Sequence, residues 1–495
     1  MILSVAEMKT LERDVIKTRA LPEVLMEQAG ALAAKAMQQN FPRPGTAVVY
    51  FGKGHNGGDA LVAGRHLALA GWDVQLRAAY DEQHFAELTS KKFREARSRV
   101  RFAATSAGIE RYPAVIIDGL LGLGAKNSLQ SPIAELAREI NGLRDAINAH
   151  VFALDLPTGL DGDTGEADPN CVEADTTLTI GFPKRGLLAD NATNFVGRLM
   201  TLPLGDFLGI PITPSDKSDV ATSANLAPLF AHRRFESHKG DYGRVGVVAG
   251  SVGFTGAASM TAEGALRAGA GLVTLFVTPD VYAVVASAAP REVMVRPVDY
   301  YEQVLEENLD AIAIGPGLGQ ARAAEVLTVF TKFPGPMVVD ADALNILSQS
   351  PWDLANSAGP RLLTPHPGEM ARLYKTAGLS RAEIVRSFTQ QFPVTLLLKG
   401  ARTLVGENSR ELSYNTTGLP GMATGGMGDV LTGVCAGLMA QRLGAYDAAR
   451  AGAWLCGRAA ELAVYGGGQS QESLAATDLF AHLGRAFKQM RELCF

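Results

Sequence analysis

Apolar and polar positions follow two different rhythms along this chain. At the start, Val5, Met8, Leu11, Val15 and Ile16 recur at helical spacing, and Ser4 and Glu7 stand where a capping box would begin that helix. A second helix, rich in Ala and Met, is predicted over 22–39. Beyond Pro44 the pattern changes to short apolar runs at 47–51, 73–77, 115–118, 151–155 and 177–180, most of them ending at glycines or a carboxylate. Such runs predict buried strands, and their alternation with helical stretches predicts a parallel sheet covered on both faces. Residues 203–225, with Pro203, Pro211 and Pro214, break the rhythm. A second series follows, with strands predicted at 244–250, 272–277, 311–314, 337–340, 362–364 and 394–398, a helix over 257–268 and another from Val430. The expectation is an α/β protein of two domains, 1–213 and 226–495, joined by a linker at 214–225.

Composition narrows the classes. Of 495 residues, 47% are hydrophobic and 20% charged, which excludes disorder for most of the chain. Lys plus Arg is 46 against 51 for Asp plus Glu, a net charge of −5, which argues against general nucleic-acid binding. The most apolar run, 430–440, is too short to cross a membrane, and Glu7, Lys9, Glu12 and Arg13 occupy the place of a signal peptide's apolar core. A soluble, cytoplasmic protein is expected. Cys171, Cys435, Cys456 and Cys494 lack zinc-ligand spacing and are expected as inert thiols. The 53 glycines cluster at strand ends, where they admit phosphates to helix N-termini.

The chemistry-bearing residues sit at those strand ends, where open α/β sheets bind ligands. In the first half GKGHNGGD follows one strand, Asp118 ends another, and Asp155 and Thr158 follow a third. This is not the dinucleotide fingerprint, because no acidic residue follows at the ribose-binding distance. Asn56, Asp118 and Thr158 are hard oxygen donors suited, with backbone carbonyls, to a monovalent or divalent cation. Asp155 suits a general base or a ribose contact. In the second half TGGMGDVLTG places Gly425, Gly426 and Gly428 around a helix start, an oxyanion or phosphate hole with Asp429 at its mouth. A carboxylate there can take a hydroxyl proton while a phosphoryl group arrives. KGART (399–403) offers its backbone and Thr403 to nucleotide phosphates. PHPGE is expected as a rigid loop holding His366 and Glu369, and GPGLG (315–319) lets a ligand approach the backbone. Walker-A, HExxH and GxSxG patterns are absent from the sequence.

These motifs carry a resemblance. HKGDYGRV, GSVGFTGAA, GPGLG, DADALN, LTPHPGEM, LKGART and GGMGDVL make the second half similar to the ribokinase-like (carbohydrate-kinase-like) domain of NAD(P)H-hydrate dehydratases. GKGHNGGDA, the Asp118 strand end with GLG, and LDLPTGLDGDTG make the first half resemble the Rossmann-like NAD(P)H-hydrate epimerase domain. The whole chain thus resembles bacterial bifunctional NAD(P)H-hydrate repair enzymes. The resemblance implies epimerisation of R and S hydrates (NADHX and NADPHX). It also implies dehydration of the S form with ADP and Mg2+, releasing AMP and phosphate.

Carried over by motif, Asn56, Asp118 and Thr158 would hold K+. The hydrate would meet His55, Asn56, Gly57, Gly58 and Asp59, then Gly122, Leu123, Gly124, Ala125, Lys126, Asn127 and Ser128, and the catalytic Asp155. In the second half Lys399, Gly400, Ala401, Arg402, Thr403 and Gly428 would bind the nucleotide, and Ala257, Gly317, His366 and the catalytic Asp429 the hydrate. His55 stands where the family usually has a first Asn, and Asn56 is kept. A homo-oligomer without nucleic-acid or membrane partners is expected. The residues alone leave open a kinase of small alcohols or vitamins, with the first half as a binding module.

Overall fold

The computed structural model describes residues 1–98, 100–102, 109, 112–124, 128–350 and 354–492. It divides into two compact units, Met1–Lys217 and one that begins at Ser218. In the first, strands β1 (Thr46–Phe51), β2 (Asp73–Ala78), β3 (Arg101–Phe102), β4 (Ala114–Gly119), β5 (His150–Leu154), β6 (Thr176–Ile180) and β7 (Arg198–Leu202) form one parallel sheet in the order β3-β2-β1-β4-β5-β6-β7. Every residue of β1 and β4 is buried, because helices cover both faces. The strand order reverses between β1 and β4, and a crevice opens there at the carboxyl edge.

The second unit repeats the plan at larger scale. Strands β8 (Ser218–Val220), β9 (Arg244–Val248), β10 (Leu272–Val277), β11 (Met294–Pro297), β12 (Ala311–Ile314), β13 (Met337–Val339), β14 (Arg361–Leu363), β15 (Thr395–Leu398), β16 (Thr403–Gly406) and β17 (Leu412–Asn415) take the order β11-β10-β9-β12-β13-β14-β15-β16-β17-β8. From β11 to β15 neighbours are parallel, β16 pairs antiparallel with both β15 and β17, and the reversal falls between β9 and β12. No helix among the described residues is long and apolar enough to cross a membrane.

Several elements differ from the sequence expectation. The segment expected as a linker contains β8, which pairs with β17, and Asp219 binds Arg450 at 2.7 Å, so the second unit starts inside it. β7, β11, β16 and β17 were not expected. β11 is an exposed edge strand ending in Pro297, and β16 and β17 are four-residue strands added to β15 as successive antiparallel hairpins. The helix after GGMGD begins earlier than predicted, at Met427, because Gly426 serves as its N-cap, and the helix after β1 starts at His55 behind the N-cap Gly54. PHPGE is not a loop: Pro367–Leu373 is a helix capped by His366 and Glu369 in a capping box. The Ser4–Glu7 capping box forms as the spacing indicates. Cys171, Cys435 and Cys456 are buried and free, and Cys494 lies outside the described residues.

The helix Met427–Ala440 is buried all round from Val430 onward, and it packs against Thr255–Arg267 at backbone distance. A Cβ on Gly433 would run into the Thr261 carbonyl oxygen, and one on Gly264 would sit 2.6 Å from that of Val430. Both obstacles are backbone, so side-chain rotation cannot relieve them. Gly433→Ala is expected to destabilise the second unit by about 1–3 kcal/mol, measured as a shift in denaturant midpoint.

Candidate active sites

In the first unit the β1/β4 crevice gathers side chains from three connections. Asp118, at the end of β4, is fully buried, and its Oδ1 accepts the Thr158 hydroxyl at 2.7 Å and the Leu120 N–H at 3.2 Å. Its Oδ2 accepts the Thr158 N–H at 2.8 Å. Burial pushes this carboxyl up to about 6, although these donors pull it the other way. Asn56, in the first turn of His55–Leu69, donates to the Leu121 carbonyl at 2.8 Å, and Thr158 Oγ accepts the Leu121 N–H at 3.1 Å. Asn56 Oδ1 is buried without a hydrogen-bond partner. Orphaned oxygens of this kind are rare. Together with one carboxylate and one hydroxyl, this oxygen makes a hard donor set of low charge, which fits a monovalent cation.

Beside it Asp155 adopts φ +64°, a strained backbone for a residue with a Cβ, held by its N–H bond to the Leu178 carbonyl. Its Oδ1 accepts the ammonium of Lys184 and the Ile180 N–H at 3.1 Å. Its Oδ2 accepts no hydrogen bond among the described residues. Lys184 is fully buried and also donates to Thr179 Oγ at 3.1 Å and to the Ile180 carbonyl at 3.0 Å. Burial, then the charges of Asp155 and Glu12, hold the Asp59 carboxyl well above the usual carboxylate range. The site therefore sets a carboxyl that burial biases toward its protonated form beside a carboxylate in contact with an ammonium.

In the second unit the site lies at the carboxyl ends of β9 and β12–β15. Gly317, at φ +62°, packs against Ala257 and Phe254: a Cβ there would lie 3.0 Å from that of Ala257. The Gly250 N–H bonds the Pro316 carbonyl at 2.8 Å, tying the loops after β9 and β12 together. Asp340, just past β13, is buried, with Lys399 Nζ 2.8 Å from Oδ1 and the Thr432 hydroxyl 2.8 Å from Oδ2. Burial lowers the affinity of Lys399 for its proton, but Asp340, Glu369 and Asp429 raise it, and the net shift is upward. Asp429 occupies the first turn of Met427–Ala440, where the free N–H groups lie. Burial and then the like charge of Asp340 push its carboxyl up to about 6, against the pull of Lys399. A Cβ on Gly428 would be 3.3 Å from Lys399 Nζ and 3.4 Å from Asp340 Oδ2, so only a bare backbone leaves this space open.

Other expected residues are placed differently. Gly57 and Gly58 are buried and face inward, against the Gly52 carbonyl and Met26, so packing is what requires them. Gly122 packs on Asn56, Leu123 against the core under the N-terminal helix, and Ala125, Lys126 and Asn127 lie outside the described residues. Gly124 and Ser128 are exposed, as is His55. Arg402 buries its side chain, and the Thr403 hydroxyl bonds the Gly400 carbonyl at 3.0 Å, so the 399–403 turn offers chiefly backbone. Sequence reasoning missed Lys184, Glu12, Asp340 and Thr432 as site residues. Asp340 carried a usable signal, a carboxylate just past an apolar run, the same signal that marked Asp118.

Comparison with known proteins agrees in both halves. A family model described as NAD(P)H-hydrate dehydratase matches residues 245–483, and one described as YjeF-related protein N-terminus matches 22–186. The bifunctional NAD(P)H-hydrate repair enzyme Nnr of Moorella thermoacetica is 34% identical over 522 residues, covering 99% of this chain and 97% of that protein. Its counterpart from Coxiella burnetii is 35% identical over 500 residues, covering 96% and 97%. Among solved structures, the ADP/ATP-dependent NAD(P)H-hydrate dehydratase of Bacillus subtilis, co-crystallised with ATP/Mg2+, is 30% identical. It covers 55% of this chain and 99% of its own, with a TM-score of 0.48.

The raised Asp429 has a measurable consequence for stability. A carboxyl whose folded value exceeds its unfolded one costs the fold when it ionises, so the penalty is full above about 6 and gone below about 4. Asp429→Asn is expected to stabilise the second unit at pH 7.5 by about 1–2 kcal/mol, less than the full shift implies because solvent reaches part of the group. Unfolding midpoints measured from pH 7.5 to 4 should show that advantage fading.

Proposed function

The chain belongs to the family of bifunctional NAD(P)H-hydrate repair enzymes, and from that premise we propose that its two units divide the repair between them. The first unit epimerises the R and S hydrates NADHX and NADPHX. The second dehydrates the S form with ADP, yielding NADH or NADPH, AMP and phosphate. The observation that carries the second assignment is Asp429, in the first turn of a glycine-capped helix with its carboxyl near 6 and the Lys399 ammonium close by.

A carboxylate of that strength is ionised at neutral pH and still basic enough to accept a proton in flight. Asp429 takes the proton of the hydrate's hydroxyl as that oxygen attacks the terminal phosphorus of ADP and AMP departs. The hydroxyl becomes a phosphate ester, a far better leaving group than hydroxide. The ring nitrogen's lone pair expels it, and loss of a proton from the adjacent carbon restores the double bond. The N–H groups at the Gly428 turn and the positive helix end stabilise the charge that accumulates on the transferred group. Magnesium, entering with the ADP phosphates, supplies further counter-charge.

In the first unit Asn56, Asp118 and Thr158 hold K+, which supplies a fixed positive charge beside the hydrate. The orphaned Asn56 Oδ1 supports this reading. Asp155 and Asp59, whose carboxyl is held well above the usual range, exchange protons with the hydroxyl of the carbon that inverts: its oxygen takes a proton and leaves as water while the ring nitrogen's lone pair forms the iminium, and water re-adds to the opposite face and gives its proton back to the carboxylate. Lys184 keeps Asp155 in its strained position.

The test is recovery of reduced-nicotinamide absorbance from a mixed R and S hydrate preparation with excess ADP and magnesium. The expected result is complete recovery. Recovery that stops at the S fraction would remove the epimerase assignment, and none with ADP or ATP would leave a kinase of small alcohols instead. Asp429→Asn should reduce dehydration by about a hundredfold or more, with R/S interconversion, followed by chromatography, unchanged.

The cation has its own readout. Replacing tetramethylammonium by K+ at pH 7.5 should raise the first unit's unfolding midpoint, and Asp118→Asn should abolish the rise. Because Asp118 binds a cation only when ionised, the effect should weaken as pH falls below about 6.

A further inference from the structure

The second unit's site contains one carboxylate that the proposed chemistry does not use. Glu369 is buried, with 7% of its side chain exposed. Its Oε2 accepts the His366 backbone N–H at 2.8 Å and stands 3.8 Å from Lys399 Nζ. Its Oε1 lies 3.4 Å from His366 Nε2. His366 Nδ1 in turn accepts the Gly368 N–H at 3.0 Å. A neutral imidazole carries one N–H, so with Nδ1 accepting, the proton sits on Nε2 and faces Glu369.

Two consequences follow from this geometry. The His366 ring accepts a hydrogen bond at Nδ1 and stands 3.4 Å from Glu369 Oε1 at Nε2, and about half of its side chain, 52%, stays exposed. It offers a ligand its exposed face and carbon edge, which can orient a flat ring. The Lys399 ammonium meets Asp340 at 2.8 Å and Glu369 at 3.8 Å, with Asp429 also within electrostatic range. Its charge is shared among three carboxylates before any phosphate arrives.

We propose that Glu369 is a positioning residue with opposite effects on the two ligands: it fixes His366 for the hydrate and withholds part of the Lys399 charge from the nucleotide. The inference rests on the assignment of hydrate and ADP to this unit. Its signature is the difference in sign. Damage to the local structure would weaken both ligands, whereas loss of the charge alone weakens one and strengthens the other.

Glu369→Gln isolates that charge, because Gln at this helix position still accepts the His366 N–H and keeps the capping box. In the full-length protein, calorimetric titration with MgADP and no hydrate should give a dissociation constant about two- to fivefold lower than wild type at low salt. The difference should shrink at ~0.5 M salt as screening sets in. In steady-state dehydration the KM for the S hydrate should rise about three- to tenfold. His366→Ala should raise that KM without moving the ADP constant. ADP binding that is unchanged or weaker in Glu369→Gln, or an unchanged hydrate KM, overturns the proposal. A wild-type chain that binds ADP but leaves the hydrate intact would instead sink the functional reading, and the ADP titration would still decide the charge effect.

Discussion

A carboxylate buried at a strand end must find donors for its oxygens, and both units depend on how that requirement is met. Asp118 draws its donors from the loop after β5 and from its own turn, Asp155 from the Lys184 connection, and Asp340 from Lys399 and Thr432. In each case at least one donor comes from a different connection, so satisfying the charge also fixes the spacing between neighbouring loops. The crevices are held open by the same bonds that keep the acids buried.

Close packing supplies the second condition. Met427–Ala440 can bring Asp429 beside Lys399 only because glycines at 264 and 433 let it lie against Thr255–Arg267 at backbone distance. The bare Gly428 keeps the space above Lys399 and Asp340 clear. Glycine thus serves packing and ligand approach in one helix turn.

The two units handle charge differently. The first leaves a neutral oxygen, Asn56 Oδ1, unsatisfied next to a single carboxylate, a donor set suited to a weakly charged cation. The second surrounds one ammonium with Asp340, Glu369 and Asp429. Burial, and then the like charge of Asp340, raise Asp429 into the range useful for proton transfer. One sheet plan therefore supports two kinds of site, because chemistry resides in the loops at its carboxyl edge rather than in the strands.

Apolar runs such as 47–51, 272–277 and 311–314 are continuous and bounded by glycine, so local pattern alone defined them as buried strands, and with them the α/β class, the strand-end location of Asp118 and Asp155, and the glycine-rich turns that carry Asn56 and Asp429. The Ser4–Glu7 cap was legible for the same reason: both partners lie within one turn. Elements whose stability comes from distant partners were not. β8 exists because β17, far along the chain, pairs with it, whereas β16 and β17 are local hairpin strands too short for an apolar pattern to mark them. Tertiary structure likewise decided the site partners Lys184, Asp340 and Thr432, whose roles arise from contacts made across strands far apart in the chain. It also turned PHPGE from an expected loop into a capped helix, since a capping box there costs nothing in sequence and gains from the burial of Glu369. Sequence determined which residues stand at the edge of each sheet; only folding decided which of them face one another, because charge and hydrogen-bond complementarity are properties of pairs.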